Sequence, residues 1–548
     1  MDTDSVMAAG GITMSSAEGE SHGLPTIIAD HRLEAQSEEA ALSLTLRKGI
    51  FQRYGQLVRV VEDSNGLIRE KGGPIIEPIP LETLHLILSS CADWRAWRKI
   101  DGEFKLVHTT PPDKVVRGVH KMKRYPAEIP ELEAVIETPM ILSDGRVVQS
   151  PGYDEASRLL YLEPDELRGH SVPDEPSRAD VEEARDLLLD LICDFRFQKE
   201  AHRSAFLAGI LSYFARFAIK TPCPCFIVDA NTPGSGKGYL VKLVGTITQN
   251  RWLDRFTQKT DPKDEEQMIV SIAQSGLIQV LLDNVDRPIG SGAFDGALTD
   301  TTISDRAYHT QKISRFPLFA IWWITGNNVQ IREGADTARR AAHVRLDSPE
   351  ERPEQRTGFK HDPLLDYARE MRPQLVMACL TILRGYFVAG RPRMKLKRWG
   401  GFEEWSDLIR NCVVWCGLAD PYEAHEALVA EADTDSDVLE DLLTGFKDMQ
   451  EYYKCDSLTL AEVVSELECD VEQRKKNPHY DLRFPLLFQT LQKLCSVKDG
   501  KIPNAHLISK RLTKYKGRVR HGQKLVTFEK STLGRRYAVV STAAKVGS

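Results

Sequence analysis

Pro224-Cys-Phe-Ile-Val-Asp-Ala-Asn-Thr-Pro-Gly-Ser-Gly-Lys-Gly-Tyr-Leu240 passes from an apolar run into a Gly-rich turn. Tyr239, Leu240, Leu243 and Val244 then follow at helical spacing. This order predicts strand, turn and helix. In that setting glycines let consecutive backbone N–H groups converge on phosphate oxygens, and the helix N-terminus adds its positive dipole end. Lys237 adds a point charge. The letters fit the G-x-x-x-x-G-K-[ST] pattern incompletely. Asn231 stands at the first glycine, and Gly238 stands where a hydroxyl would ligate magnesium. Taken alone, the stretch reads equally well as an ordinary Gly-rich turn between a strand and a helix.

The residues downstream favour phosphate binding. Residues 277–286, LIQVLLDNVD, form an apolar run reaching Asp283, forty-six positions after Lys237. A buried parallel strand ending in a carboxylate can hold a magnesium shell beside phosphates. Residues 319–329, FAIWWITGNNV, give a second apolar strand that ends in Asn327 and Asn328, where an amide can position water or touch a phosphate. Residues 334–347, GADTARRAAHVRLD, present Arg339 and Arg340, a pair suited to reaching a neighbouring subunit's nucleotide. Each feature alone reads as ordinary structure: a solvated Asp, an Asn turn, a charged helical face. Their order and spacing together point to nucleotide chemistry.

The run PGSGKG, LLDN, WWITGNN and GADTARRAAHVRLD resembles the AAA+ block of superfamily III-type replicative helicases of phages, plasmids and integrated mobile elements. The preceding ETPMILSDGRVVQSPGYDEASRLLYL is similar to the segment before that block in primase/helicase-like proteins of genomic islands. The resemblance is good over about residues 135–346 and loose elsewhere. It implies ATP and Mg2+ as cofactors and a hexameric ring that moves on single-stranded or forked DNA. It also implies that Gly234, Gly236 and Lys237 hold phosphates, with Thr232, Pro233, Ser235, Gly238 and Tyr239 completing the nucleotide contact. Asp283 would organise the metal, Asn327 would sense the phosphate, and Arg339 or Arg340 would act in trans. A DNA-touching hairpin is implied between the acid and sensor strands, where Arg306, His309, Lys312 and Arg315 are candidates.

Two departures bear on turnover. Asn284 follows Asp283 where an acid commonly serves as general base, and an amide orients water without accepting its proton. That leaves Asp283 acting through water, Asp286, Glu265 or Glu266. Gly238 removes one metal ligand, for which Thr232, Ser235 or a water could substitute. The leading expectation is therefore an ATP-dependent DNA helicase or translocase of a mobile element. The alternative is a nucleotide-gated DNA-binding initiator or regulator with little hydrolysis. A fused primase-helicase ranks third, because the N-terminal domain, residues 31–170, shows no convincing D-x-D or zinc pattern.

Composition agrees with a multidomain soluble chain: 548 residues, 42% hydrophobic and 28% charged, with net charge −7. No apolar run reaches the roughly 20 residues of a membrane span. The ten cysteines lack any C-x-x-C pair and read as reduced core thiols of a cytoplasmic protein, without zinc.

The expected fold is α/β: an AAA+ P-loop core with a parallel sheet, flanked by further domains. Residues 1–30 read as a disordered tail, 31–170 as an α+β domain and 178–221 as a helical segment. The core spans 222–347, a helical region 348–430, and a basic winged-helix-like domain 431–548. Within the second region, residues 80–97, PLETLHLILSSCADWRAW, read as one amphipathic helix. In the last, residues 498–536 carry twelve Lys/Arg against two acids. Lys510, Arg511, Lys514, Lys516, Arg518, Arg520 and Lys524 are its candidate DNA contacts. It has few aromatics and offers no stacking platform.

Overall fold

The computed structural model describes residues 23–29, 32–62, 73–306, 313–332, 335–350, 352–432, 434–497, 501–513, 515–528 and 535–542. Its centre is a five-stranded sheet of β1 (Cys225–Ala230), β2 (Asp254–Phe256), β3 (Gln279–Val285), β6 (Ile321–Gly326) and β7 (Ala341–Leu346). The strand order is β2-β3-β6-β1-β7 and every pairing is parallel. Between β3 and β6 the chain forms an antiparallel hairpin of β4 (Thr302–Arg306) and β5 (Ile313–Pro317). This mixed α/β arrangement fits a P-loop-like core.

The central strands are mainly apolar because helices cover both faces, with Asp229, Asp283 and Arg345 as charges towards their C-terminal ends. Successive side chains point to opposite faces. Phe226, Val228 and Trp323 pack with residues of α2 (Glu200–Phe214) and α3 (Lys237–Gln249). Cys225, Ile227 and Trp322 pack with α4 (Pro262–Ser275) on the other face. Gly209 of α2 lets the Trp323 ring approach, since a Cβ there would lie 2.4 Å from it. Preceding α2, α1 (Arg178–Leu191) opens with a Ser177/Asp180 capping box.

After β7 come α5 (Leu364–Glu370), α6 (Arg372–Val388), helical turns across 403–415, and α7 (Tyr422–Ala432). The C-terminal region has α8 (Thr434–Tyr453), α9 (Leu460–Lys476), α10 (Pro485–Cys495) and α11 (Ala505–Leu512). Its sheet comprises β8 (Leu458–Thr459), β9 (Val519–Arg520), β10 (Gln523–Thr527) and β11 (Arg536–Ser541) in the order β8-β11-β10-β9. It has its own core, including Leu443, Phe446, Leu487, Ile508 and Leu525.

Three expectations for the N-terminal half are corrected. The tail does not run through residue 30: Thr26–Ile28 is a strand paired in parallel with Asp93–Ile100. The expected helix over 80–97 stops at Cys91, and Asp93–Ile100 instead forms a hairpin with Glu103–His108. Burial explains both, because Ile27 and Trp94 are register partners and each is only 2% exposed. Finally, Ile136, Met140, Leu159 and Tyr161 pack into the cluster that holds α1, α2 and α6, so packing does not divide at residue 170. The ten cysteines are free, but Cys193 and Cys469 are exposed rather than core residues. Among the described residues no helix is long and apolar enough to cross a membrane.

Candidate functional site

The turn after β1 takes the conformation that its glycines permit. Gly234 and Gly236 have φ of 78° and 94°, in the left-handed region, and Gly236 caps the start of α3. Neighbours close in on both. A Cβ on Gly234 would lie 2.8 Å from a Glu354 carboxylate oxygen, and one on Gly236 would lie 3.0 Å from the Phe195 ring. Gly238 differs, with nothing within 4 Å of the Cβ position. The Ser235 hydroxyl donates to the Thr232 carbonyl at 2.6 Å and lies 3.0 Å from the Thr232 hydroxyl, closing the turn on itself. Asn231, at the first-glycine position, anchors the turn to the segment after β7. Its amide donates to the Ser348 carbonyl at 2.9 Å, and it accepts from the Ser348 N–H at 3.2 Å.

Because β6 lies between β1 and β3, the three sequence-predicted groups meet at the C-terminal ends of adjacent strands. In open α/β sheets this edge is where ligands bind. Lys237 Nζ donates to Asn327 Oδ1 at 2.6 Å. Burial holds the Lys237 ammonium below its usual pKa, with the Asp229 charge acting in the opposite sense. Two residues before Asn327, the Thr325 hydroxyl donates to Asp283 Oδ1 at 2.7 Å. The other Asp283 oxygen faces Arg255 of β2 at 3.3 Å. Asn284 sits on an irregularity of β3 with φ 52°, and its N–H donates to Thr325 Oγ1 at 2.8 Å. Asparagine tolerates this backbone better than most residues.

Sequence reading missed four members of this edge: Asp229, Arg345, Arg255 and Thr325. Asp229, 1% exposed, accepts from Arg345 at 2.9 Å and from the Val329 N–H at 3.2 Å, with His343 at 3.5 Å. Burial alone would raise its pKa, but His343 and Arg345 outweigh that and hold it below the usual value. Arg345 also donates to Asn328 Oδ1 at 3.1 Å, tying the phosphate-loop strand to the Asn327-Asn328 turn. A signal was present in the sequence. An Asp inside FIVDA and an Arg inside AAHVRL are charges in buried strands, and buried charges need partners.

A cavity of about 820 Å³ opens beside the loop, lined by Phe195, Gly236, Tyr239, Trp252, Leu346 and Pro363 among others. That volume and its apolar walls suit a small-molecule ligand. Neither Asp283 nor Asn327 lines it, so the cavity and the charged strand ends flank the loop on different sides. The glycine conformations, Lys237 and the strand-end carboxylate fit a nucleotide with magnesium. The departure is Gly238, which brings space but no hydroxyl.

The arginine pair lies elsewhere. Both residues precede β7, whose first residue Ala341 is paired with Cys225 while its last, Leu346, pairs with Ala230 at the loop. Five residues of strand, about 17 Å, separate them from their own loop. Arg339 is 76% exposed, and its backbone carbonyl is held by the Trp399 indole N–H at 2.9 Å. Arg340 is mostly buried and turns to Asp336 at 3.4 Å. Of the base candidates, Glu265 accepts from the Ser291 hydroxyl, Asp286 faces Arg287 at 3.4 Å, and Glu266 is exposed.

Among the DNA-contact candidates, His309, Lys312 and Lys514 lie outside the described residues. Arg306 ends β4, opposite Ile313, and exposed Arg315 pairs with Ser304 across the hairpin. Lys510, Arg511 and Lys516 are exposed, Lys524 is half-buried, and Arg518 lies over the Tyr515 ring at 5.8 Å. Arg520 is instead engaged with Glu440 at 3.2 Å.

No family model and no curated protein matches the chain. Among solved structures, it overlays on the apo NrS-1 C-terminal region with a TM-score of 0.40 at 12% identity, covering 84% of this chain and 98% of that one. The active helicase Cch of SCCmec type IV gives 0.33 at 10% identity, covering 89% and 91%. The JCV helicase gives 0.22 at 13%, covering 47% and 70%. Overlaps this weak assign neither family nor activity to the chain.

Proposed function

We propose that the chain is an ATP-hydrolysing DNA motor of the helicase or translocase class, built on an AAA+ core. The observation that carries this reading is the convergence of Lys237, Asn327 and Asp283 at one sheet edge, with Lys237 Nζ 2.6 Å from Asn327 Oδ1 and Thr325 bridging to Asp283. Gly234, Gly236 and Lys237 would cradle phosphates and Asp283 would hold magnesium, with the Thr232 or Ser235 hydroxyl standing in for the ligand that Gly238 lacks. Magnesium, when bound, neutralises charge between phosphate oxygens. Asn327 reports the presence of the terminal phosphate by exchanging its contact with Lys237 for one with the nucleotide. The cavity beside Phe195 takes the nucleoside. Of the base candidates, Asp283 is the one that the Thr325 hydrogen bond ties to the strand bearing Asn327, and it serves as proton acceptor through a water.

Arg339 reaches the nucleotide of a neighbouring subunit, so the active species is an oligomer, a hexameric ring in this reading. The β4–β5 hairpin touches DNA. The three helices α9 to α11 with β10 and β11 act as a winged helix on the duplex backbone, through Lys510, Arg511, Lys516 and Arg518.

The test is DNA-stimulated ATP hydrolysis by the wild type and by Lys237→Ala. Turnover stimulated by forked DNA and lost in Lys237→Ala is expected. A wild type that binds ATP and DNA without turnover would sink the motor reading. It would leave the second one, a nucleotide-gated DNA-binding regulator, which the bare Gly238 and the non-basic Asn284 favour.

A further inference from the structure

The hairpin Asp93–Ile100/Glu103–His108 sits on the edge of its sheet, with Thr26–Ile28 behind it. Its residues alternate between two faces. Trp94 lies on the inner face and is buried, its indole N–H donating to the Leu88 carbonyl at 2.9 Å. The outer face carries Arg95 opposite His108, Trp97 opposite Leu106, and Lys99 opposite Phe104. Trp97 is 57% exposed and Phe104 is 70% exposed. Two large aromatics presented to solvent on one sheet face are a recognition surface rather than a core remnant.

Charge says what the surface recognises. Residues 93–124 hold nine Lys/Arg against four acids, and on the outer face itself the charges are Arg95 and Lys99 against Asp93, since Arg98 and Lys105 pair on the other face. One of those acids, Asp93, is spent on Arg95 at 2.7 Å and His108 at 2.8 Å. Asp101 and Glu103 lie at the hairpin turn, away from Trp97. Lys99, exposed, lies opposite Phe104 and two residues from Trp97 on this face, whereas Lys105, also exposed, pairs with Arg98 on the other face.

Exposed aromatics interleaved with cations suit unpaired bases on a phosphate backbone, because every base has a stacking face and a duplex hides it. We propose that this outer face binds single-stranded DNA, with Trp97 and Phe104 stacking bases and Lys99 contacting the phosphate backbone. The N-terminal domain then supplies the stacking platform that the C-terminal module lacks. The choice of DNA over RNA rests on the motor reading above; the single-strand preference does not.

The test is fluorescence anisotropy of labelled oligo-dT with the full chain, without nucleotide. A Trp97→Ala/Phe104→Ala variant should bind at least about tenfold more weakly. A Lys99→Gln variant, whose surface change leaves the fold alone, should lower the salt slope by about 0.7 for the one lost phosphate contact, and Lys105→Gln on the other face should lower it less. Both deficits should be absent on blunt duplex, and Lys237→Ala should bind oligo-dT normally even if the motor reading fails. Wild-type affinity in the aromatic and Lys99 variants, or an equal loss on duplex, would overturn the proposal. Tighter binding of oligo-U than oligo-dT would overturn the choice of DNA. Altered self-association of the aromatic variant with DNA binding intact would reassign the face to a protein contact.

Discussion

At the scale of single residues, Gly238 decides how well the site handles metal. It is the second residue of α3, it has ordinary backbone geometry, and a Cβ there meets nothing within 4 Å. No steric reason therefore keeps a hydroxyl out, whereas Gly234 and Gly236 are held by both φ and close neighbours. Gly238→Ser should be accepted and should stabilise α3 by a few tenths of a kcal/mol, about the helix-propensity difference. It should also restore the missing magnesium ligand and lower the Mg2+ concentration needed for half-maximal hydrolysis. A magnesium titration of ATP turnover for the two proteins checks this. An unchanged midpoint would mean that Thr232, Ser235 or water already fills the position.

At the scale of elements, two neutral histidines dock helices onto β7. His202 of α2 bonds the His343 carbonyl at 2.9 Å, and His425 of α7 bonds the Ala341 carbonyl at 3.0 Å. Burial pushes each pKa from 6.5 down to about 4, against the small upward pull of those backbone bonds. A depressed histidine pKa means that the unfolded chain binds more protons between pH 4 and 6.5. Stability is therefore complete above about pH 6.5 and falls as pH drops towards 4, by up to about 3 kcal/mol for each residue. Thermal unfolding between pH 7.5 and 4.5 should show this fall, and His425→Gln should flatten part of it. A profile level across that window would refute the assignment.

The same scale shows what the sequence could tell. The core strands were legible because they are continuously apolar and end in Asp283, Asn327 and the Gly-Lys turn. The strand Asp93–Ile100 was not, because its sheet depends on pairing with Glu103–His108 on one side and with Thr26–Ile28, sixty-odd residues away, on the other, and neither shows in the run's own letters. Asp229 and Arg345 were missed for a related reason. Each is an unremarked charge until register sets them opposite each other.

At the scale of the whole molecule, the arginines force a statement about assembly. Arg339 stands at the end of β7 remote from the loop, with its backbone fixed by Trp399 and its side chain 76% exposed, facing Asp336 loosely at 3.8 Å. About 17 Å of strand exceeds the reach of any side chain, so Arg339 cannot serve its own nucleotide. If it serves catalysis, it does so across a subunit boundary, as arginine fingers do in related chemistry. Arg340, 22% exposed and paired with the same Asp336 at 3.4 Å, is the less available of the two and is assigned a structural role. Arg339→Ala should abolish hydrolysis with ATP affinity unchanged, and Arg340→Ala should chiefly lower thermal stability. The discriminating experiment mixes two inactive proteins. Lys237→Ala lacks a phosphate lysine but keeps its finger; Arg339→Ala lacks the finger but keeps its loop. Mixed oligomers contain some interfaces with an intact Lys237 on one side and an intact Arg339 on the other. Such mixtures should regain a fraction of wild-type turnover that rises towards equal proportions. Recovery that never appears, in mixtures whose subunit exchange is verified, would place Arg339 outside the catalytic interface and remove the argument for a shared site.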